Sequence, residues 1–374
     1  MKSIKFAIIT HVAHVHDKNE YLAYAPYVQE MNIWFKYVDE VIIVAPLKIE
    51  LTEIDIPYKH SKIDFRNVPD FNLTTFGNIL SSVFKLPSII WKIFRAMQNA
   101  DHIHLRCPGN MGLIGCFVQI FFPRKTKTAK YAGNWDPKSA QPWTYKLQKY
   151  ILNNTFLTRN MQVLVYGEWN GNSANIKPFF TATYSSSEKE NIQKDSLDSG
   201  VKFIFVGSLV SGKNPMYAVK LIQKLLEEGN NVSLNLYGEG SERNSLENYI
   251  QTNKLENHIV LKGNNNKEIL KEAYKKSQFV ILPSKSEGWP KAIAEGMFWG
   301  SVPLATKVSC VPFMLDYGKR GILLEMDLEK DFQTIQGLLS NEDDFSAKSN
   351  AALNWSQKYT TDIFEAEIKN LLSK

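Results

Sequence analysis

Short apolar runs alternate with amphipathic stretches along nearly the whole chain, and this alternation is the strongest constraint on its fold. Runs at Ile4 to Thr10, Val41 to Val44, His102 to Leu105 and Gln162 to Val165 are separated by stretches with helical spacing, including Tyr27 to Tyr37, Ile79 to Met97 and Trp143 to Leu152. A further strand is expected at Tyr131 to Trp135. The pattern restarts at Phe203 to Val206 and repeats at Val232 to Leu236, Ile259 to Leu261, Phe279 to Leu282 and Val302 to Ala305. Strands joined by helices form parallel sheets covered on both faces. At 374 residues with 44% hydrophobic residues, the chain has material for two such cores. The sequence therefore predicts an α/β protein of two Rossmann-like, doubly wound domains facing each other across a cleft.

The expected boundaries are an N-terminal domain over residues 1–184, a polar linker over 185–200, a C-terminal domain over 201–354, and a helix over 355–374 that packs back on the N-terminal domain. The linker, SSSEKENIQKDSLDSG, has few large apolar residues. Lys and Arg number 44 against 38 Asp and Glu, a formal charge of +6. That excess is spread out, which favours anionic ligands or an anionic membrane surface and not nucleic acid. Cys107, Cys116 and Cys310 lack CxxC spacing, so neither a disulfide framework nor a zinc site is expected, in keeping with a reducing compartment. The N-terminus meets histidines and an aspartate before a signal core could finish. No apolar run reaches the ~20 residues of a spanning helix. The expected location is the cytoplasm, at the inner face of the membrane if peripheral. Ile79 to Met97 has the apolar and basic composition of an interfacial helix as well as that of a packed one, and Pro87 is read as its start.

In a doubly wound sheet, ligands bind beyond the carboxyl ends of the strands. The loop after Phe203 to Val206 runs from Gly207 and Ser208 to Gly212, Lys213 and Asn214, with Pro215 suited to a first helical turn. A lysine beside a helix N-terminus suits a phosphate. The string also fits G-x-x-x-x-G-K, but Asn214 stands where the magnesium-holding Ser or Thr of a nucleoside triphosphatase would be. A surface lysine in a plain turn fits equally. Gly238 and Gly240 follow the next strand, ahead of a helix that Ser241 would cap; they allow close backbone approach or a simple turn.

The richest segment is FVILPSKSEGWPKAIAEGMFWG. Glu287 lies in the loop after a strand, Pro290 suits the first helical turn, and Glu295 falls inside the helix. The turn at Gly288 and Trp289 presents backbone N–H groups to diphosphate oxygens, and the carboxylates can accept bonds from hydroxyls on either side.

Here the chain resembles the family 4 glycosyltransferases, retaining enzymes of the GT-B architecture with an E-x7-E signature, filled by Glu287 and Glu295. VGSLVSGKNP, LYGEGSER and ATKVSCVP extend the resemblance across the C-terminal half. The resemblance implies a nucleoside diphosphate sugar, UDP- or GDP-linked, as donor, a glycan or lipid-linked acceptor, and no cofactor or metal. It places Lys213 on the diphosphate, Glu287 on the transferred sugar and Glu295 on the ribose, with Gly288, Trp289, Pro290 and Lys291 framing pyrophosphate and sugar. Many relatives carry an arginine where this chain has Ser208, so either Lys213 carries more of the diphosphate charge or another cation such as Arg106 or Lys291 compensates. In DHIHLRCPGN, Arg106 falls where relatives carry a histidine facing the sugar, with His104 two residues earlier. Arg106 could stabilise the leaving phosphate but stays protonated and is no general base. An ordinary strand-end turn fits YAGNWDP equally, but its Asn134 and Asp136 are assigned to the acceptor side. So are His11 and His14, in a loop with His16 and Asp17 that lacks metal-site spacing. The rival readings are a sugar-nucleotide-binding scaffold without turnover and a P-loop-like nucleoside triphosphatase.

Overall fold

The computed structural model describes residues 3–52, 54–69 and 76–373, with side chains of the second long helix described from residue 84. The chain divides into two compact units, residues 1–179 with 365–374, and residues 180–364.

The first unit holds β1 (Lys5–Ile9), β2 (His14–Asp17), β3 (Glu20–Tyr24), α1 (Ala25–Phe35), β4 (Glu40–Ala45), β5 (Asp55–Pro57), β6 (Ile63–Asn67) and α2 (Phe76–Asn99). It continues with β7 (His102–Cys107), α3 (Asn110–Val118), β8 (Thr126–Tyr131), α4 (Trp143–Leu152), β9 (Met161–Tyr166) and β10 (Ile176–Phe179). The main sheet has the order β10-β9-β8-β7-β1-β4-β6, with every pair parallel. Its central strands read as near-continuous apolar runs, KFAII and EVIIVA, as a sheet buried on both faces requires. The strand order reverses between β1 and β7.

The second unit holds β11 (Val201–Val206), α5 (Pro215–Glu227), β12 (Val232–Tyr237), α6 (Arg243–Thr252), β13 (Ile259–Gly263), α7 (Lys267–Lys276), β14 (Phe279–Leu282) and α8 (Lys291–Phe298). Then follow β15 (Val302–Thr306), α9 (Val311–Met314), β16 (Ile322–Leu324), α10 (Leu328–Leu339), α11 (Glu342–Ser356) and α12 (Thr361–Leu372), whose residues from 365 on belong to the first unit. The all-parallel sheet runs β13-β12-β11-β14-β15-β16. This is the order of a dinucleotide-binding fold, with its reversal between β11 and β14. Local chemistry sets the helix starts: Pro215 opens α5, and the Asn266 and Asp327 side chains accept backbone N–H groups of α7 and α10. Gly296 lets α8 lie close on β14, since a Cβ there would stand 2.5 Å from Val280 Cγ1.

Several local expectations are corrected. The strand expected at Tyr131 to Trp135 ends at Tyr131 and runs back to Thr126, through two buried lysines that disguise it. Lys127 donates to Gln119 Oε1 at 2.8 Å and Lys130 to Glu30 Oε2 at 2.8 Å, which makes their burial tolerable. His14, His16 and Asp17 form a strand, not a loop, in an antiparallel β2-β3-β5 sheet. Pro87 lies inside α2. Ser241 is not a cap, because α6 begins at Arg243 with Glu242 at the N-cap. Pro290 is the N-cap of α8, one position before its first turn. The helix expected from Trp355 onward is broken at 357–360, so that Trp355 lies in the last turn of α11, which ends at Ser356, and α12 starts at Thr361. Among the described residues, no helix is long and apolar enough to cross a membrane.

Candidate functional site

The loops after β11 and β14 flank the strand-order reversal of the second unit, and they are tied together. Lys285 N donates to Gly212 O at 2.9 Å, and Lys285 Nζ to Ser211 Oγ at 3.0 Å. Across the same junction Lys213 Nζ meets Glu287 Oε1 at 2.5 Å. The Glu287 side chain is 7% exposed and that of Lys213 30%, so a nearly buried carboxylate holds an ammonium that solvent still reaches. Gly207 and exposed Ser208 open the first of these loops.

The loop after β12 supports the loop after β11 backbone to backbone. Gly207 N donates to Tyr237 O and Leu209 N to Glu239 O, both at 2.9 Å. A Cβ on Gly238, at φ 139°, would stand 2.0 Å from Gly207 O. The close approach that Gly238 permits is therefore to a neighbouring loop.

On the other flank, the Gly288 carbonyl accepts from Ser309 Oγ at 3.1 Å and from the Cys310 thiol at 3.2 Å, both in the loop after β15. A trans peptide points its N–H opposite its C=O. The Trp289 N–H is thereby turned away from Ser309 and Cys310. The Trp289 ring is buried against Trp355, at 6.1 Å between centroids. Nothing in the local sequence around Ser309 and Cys310 signals this anchoring, which spans two strand ends.

Glu295, on α8, accepts from Thr183 Oγ1 at 2.7 Å and from Tyr274 OH at 3.2 Å. Burial pushes its carboxyl above the ordinary range, and the Thr183 bond and the Lys291 charge only partly oppose that. It borders a small recess with Thr183, Tyr184, Trp289, Lys291 and Tyr359. Glu287 and Lys213 thus form one constellation, and Glu295 with Lys291 a second, on the two sides of the turn that opens α8.

The acceptor-side candidates lie in the first unit at the carboxyl ends of β1, β7 and β8. His11 is exposed and abuts Gly109. Asn134 Oδ1 accepts from Asp136 N, and Asp136 Oδ1 from Lys138 N, both at 2.8 Å, so these two side chains shape the turn that carries them. Arg106 Nη1 is bound to Glu30 Oε1 at 2.5 Å, and Lys130 shares the same carboxylate. Burial raises the Glu30 carboxyl, but the Arg106 and then the Lys130 charge outweigh it and hold the group well below the carboxylate range. Glu30 and Lys130, distant from Arg106 in sequence, escaped the sequence reading.

His14 is fully buried. Its Nε2 pairs with Tyr58 OH at 2.7 Å, and its Nδ1 with Val12 O at 2.8 Å. Burial lowers its pKa to about 4, against the raising effect of the Val12 carbonyl. His102 falls to about 3, also by burial. A histidine held neutral in the fold contributes stability above its unfolded pKa and loses it as pH falls through the folded value. His14 alone is expected to cost on the order of 3 kcal/mol between pH 6.5 and 4. Thermal unfolding across that range checks this, and His14→Gln should flatten the dependence; an unchanged profile would contradict it.

Residues 187–354 match the family described as Glycosyl transferases group 1. The second unit therefore carries a group 1 glycosyl transferase domain, and the two Rossmann-like units have the GT-B fold. The chain is 25% identical to Protein CapJ of Staphylococcus aureus over 289 residues, 74% of this chain and 72% of CapJ. It is 25% identical to the poly(glycerol-phosphate) alpha-glucosyltransferase of Bacillus subtilis over 168 residues, 42% of this chain and 24% of that much longer protein. Among solved structures, Anabaena HepE in complex with UDP and glucose aligns over 99% of this chain and 100% of its own, with a TM-score of 0.68 at 14% identity.

Proposed function

We propose that the protein is a retaining glycosyltransferase that moves a hexose-type sugar from a nucleoside diphosphate sugar, UDP- or GDP-linked, to a glycan or lipid-linked acceptor in cell-surface polysaccharide synthesis. The observation that most supports this reading is the Lys213–Glu287 pair at the strand-order reversal of a group 1 glycosyl transferase domain. The name of the Bacillus subtilis relative and the UDP and glucose bound by HepE point the same way.

In this mechanism Lys213 and the start of α8 take the charge that grows on the leaving diphosphate. Lys285 supplies the second cation where relatives have an arginine in place of Ser208; it already lies along the 207–214 loop. Glu287 orients the sugar hydroxyls, and Glu295 accepts from the ribose. The bond from the anomeric carbon to the phosphate oxygen breaks, the acceptor oxygen bonds to that carbon on the same face, and the acceptor proton passes to the departing phosphate. A nucleoside triphosphatase is disfavoured because Asn214 offers no hydroxyl to a metal.

Thermal shift with UDP, GDP, ADP and their sugar conjugates tests the donor site, with Glu295→Gln beside the wild type. Stabilisation by one nucleotide class, reduced about tenfold in affinity by the variant, is expected, since one charge-assisted bond to ribose contributes about 1.5–3 kcal/mol. No shift with any nucleotide would refute the donor reading. Donor binding without transfer to any acceptor would leave the scaffold as the answer.

A further inference from the structure

The helices α2, α3 and α4 pack side by side, α3 against both neighbours, and their outer surface is unusual in composition. The inner side of α2 is ordinary: Ile89, Ile93, Ala96 and Met97 are buried in the core of the first unit. Its outer side is not. Phe84 is 82% exposed and Trp91, two turns on, 62%. From Trp91 the apolar surface continues through Phe94, whose ring stacks with it at 6.4 Å, to Phe122 at 5.0 Å from Phe94. Phe121, beside it in the short helical turn after α3, is 73% exposed. On α4, Trp143 and Tyr150 are likewise exposed and also two turns apart. Scattered surface apolar residues need no explanation, but a run of large aromatics across three adjoining helices does.

The charges around these rings are of one sign. Between residues 71 and 167 the only acidic residues are Asp101 and Asp136. Asp101 accepts from Lys5 N at the end of the sheet, and Asp136 is turned into its own loop. The same span carries Lys85, Lys92, Arg95, Arg124, Lys125 and further lysines and arginines. Several stand against the aromatic rings, Arg95 at 5.8 Å from Trp91 and Lys125 at 5.7 Å from Phe122. A protein partner would require acidic complementarity over the whole layer. A bilayer with anionic headgroups supplies it everywhere, and Trp and Tyr favour the headgroup level, where an apolar ring can sink while its polar edge stays wet.

We infer that the outer surface of α2, α3 and α4 is a docking face for an anionic lipid surface. Phe84, Trp91 and Phe121 insert at the acyl boundary, and Lys85, Arg95 and Arg124 face the headgroups. The inference stands independently of the proposed transfer reaction.

Flotation of the full chain with vesicles of neutral phosphatidylcholine, and of phosphatidylcholine with about a third phosphatidylglycerol, tests it. Binding to the anionic vesicles is expected, weakened at least tenfold in the neutral ones and by raised salt. The triple variant F84S/W91S/F121S and the separate variant K85E/R124E should each lose at least tenfold in vesicle affinity while keeping wild-type far-UV circular dichroism and unfolding midpoint. These side chains are exposed, so the fold should tolerate both sets. Equal binding to both vesicle types, no binding by the wild type, or unchanged binding by folded variants would each overturn the inference. So would concentration-dependent self-association of the wild type that the triple variant abolishes without any vesicle binding, which would make the face a contact between copies.

Discussion

Lys213→Met is expected to lower turnover of the glycosyl donor by about 10²–10³-fold, the usual consequence of removing one preorganised group from the site of developing charge. The substitution also strips the nearly buried Glu287 carboxylate of its cation. Because the ammonium is 30% exposed, solvent compensates in part, and a stability cost of about 1–3 kcal/mol is expected. Adding Glu287→Gln to Lys213→Met should return most of that stability, since an amide tolerates burial without a counter-charge, and should return none of the turnover. Urea midpoints and single-turnover rates for the two single variants and the double variant separate these effects. A double variant as active as wild type, or a Lys213→Met enzyme within threefold of it, would remove the pair from the reaction.

The second large effect lies in the other unit. Glu30→Ala is expected to destabilise the protein by about 3–5 kcal/mol, because it takes away the carboxylate shared by the Arg106 and Lys130 side chains in a nearly dry setting. Replacing Lys130 by methionine as well should recover part of the loss, which chemical denaturation would read directly. A cost below 1 kcal/mol would mean that water already relieves the cluster. The linked pH behaviour has a definite sign. A carboxyl depressed by its partners contributes stability above its unfolded pKa and loses it progressively as pH falls from there through the folded value, which for Glu30 lies below the carboxylate range. Acid weakening between pH 6.5 and about 5 therefore reports the buried histidines and not this cluster.

The strand-to-helix alternation was legible because both sheets are parallel and buried, so their strands are unbroken apolar runs such as FVIL and VPLAT. Thr126–Tyr131 was misplaced because Lys127 and Lys130 are in its middle, and only Gln119 and Glu30, supplied by other elements, explain how they can be there. The short strands Asp55–Pro57 and Ile322–Leu324 carry too few residues to announce a period. At the candidate site, Lys213, Glu287 and Glu295 could be picked out by their positions at strand and helix ends. The groups that hold them could not. Thr183 and Tyr274 reach Glu295 from far along the chain, and Ser309 and Cys310 fix the Gly288 carbonyl from the next strand's loop. Local sequence shows which residues reach the edge of a sheet; only the folded contacts show which are locked there.

The first unit is discontinuous, since its polypeptide leaves at residue 179 and rejoins it at 365. Lys36 and Tyr37 bind Glu365, and Lys177 binds Glu367. On the ribosome, the seven-stranded sheet is therefore synthesised long before the segment that completes its surface emerges. The intervening unit must first be made, and it is free to fold as the growing chain lengthens. Maturation of the first unit thus waits on the second, which links the integrity of the acceptor-side candidates to complete synthesis of the glycosyl transferase domain.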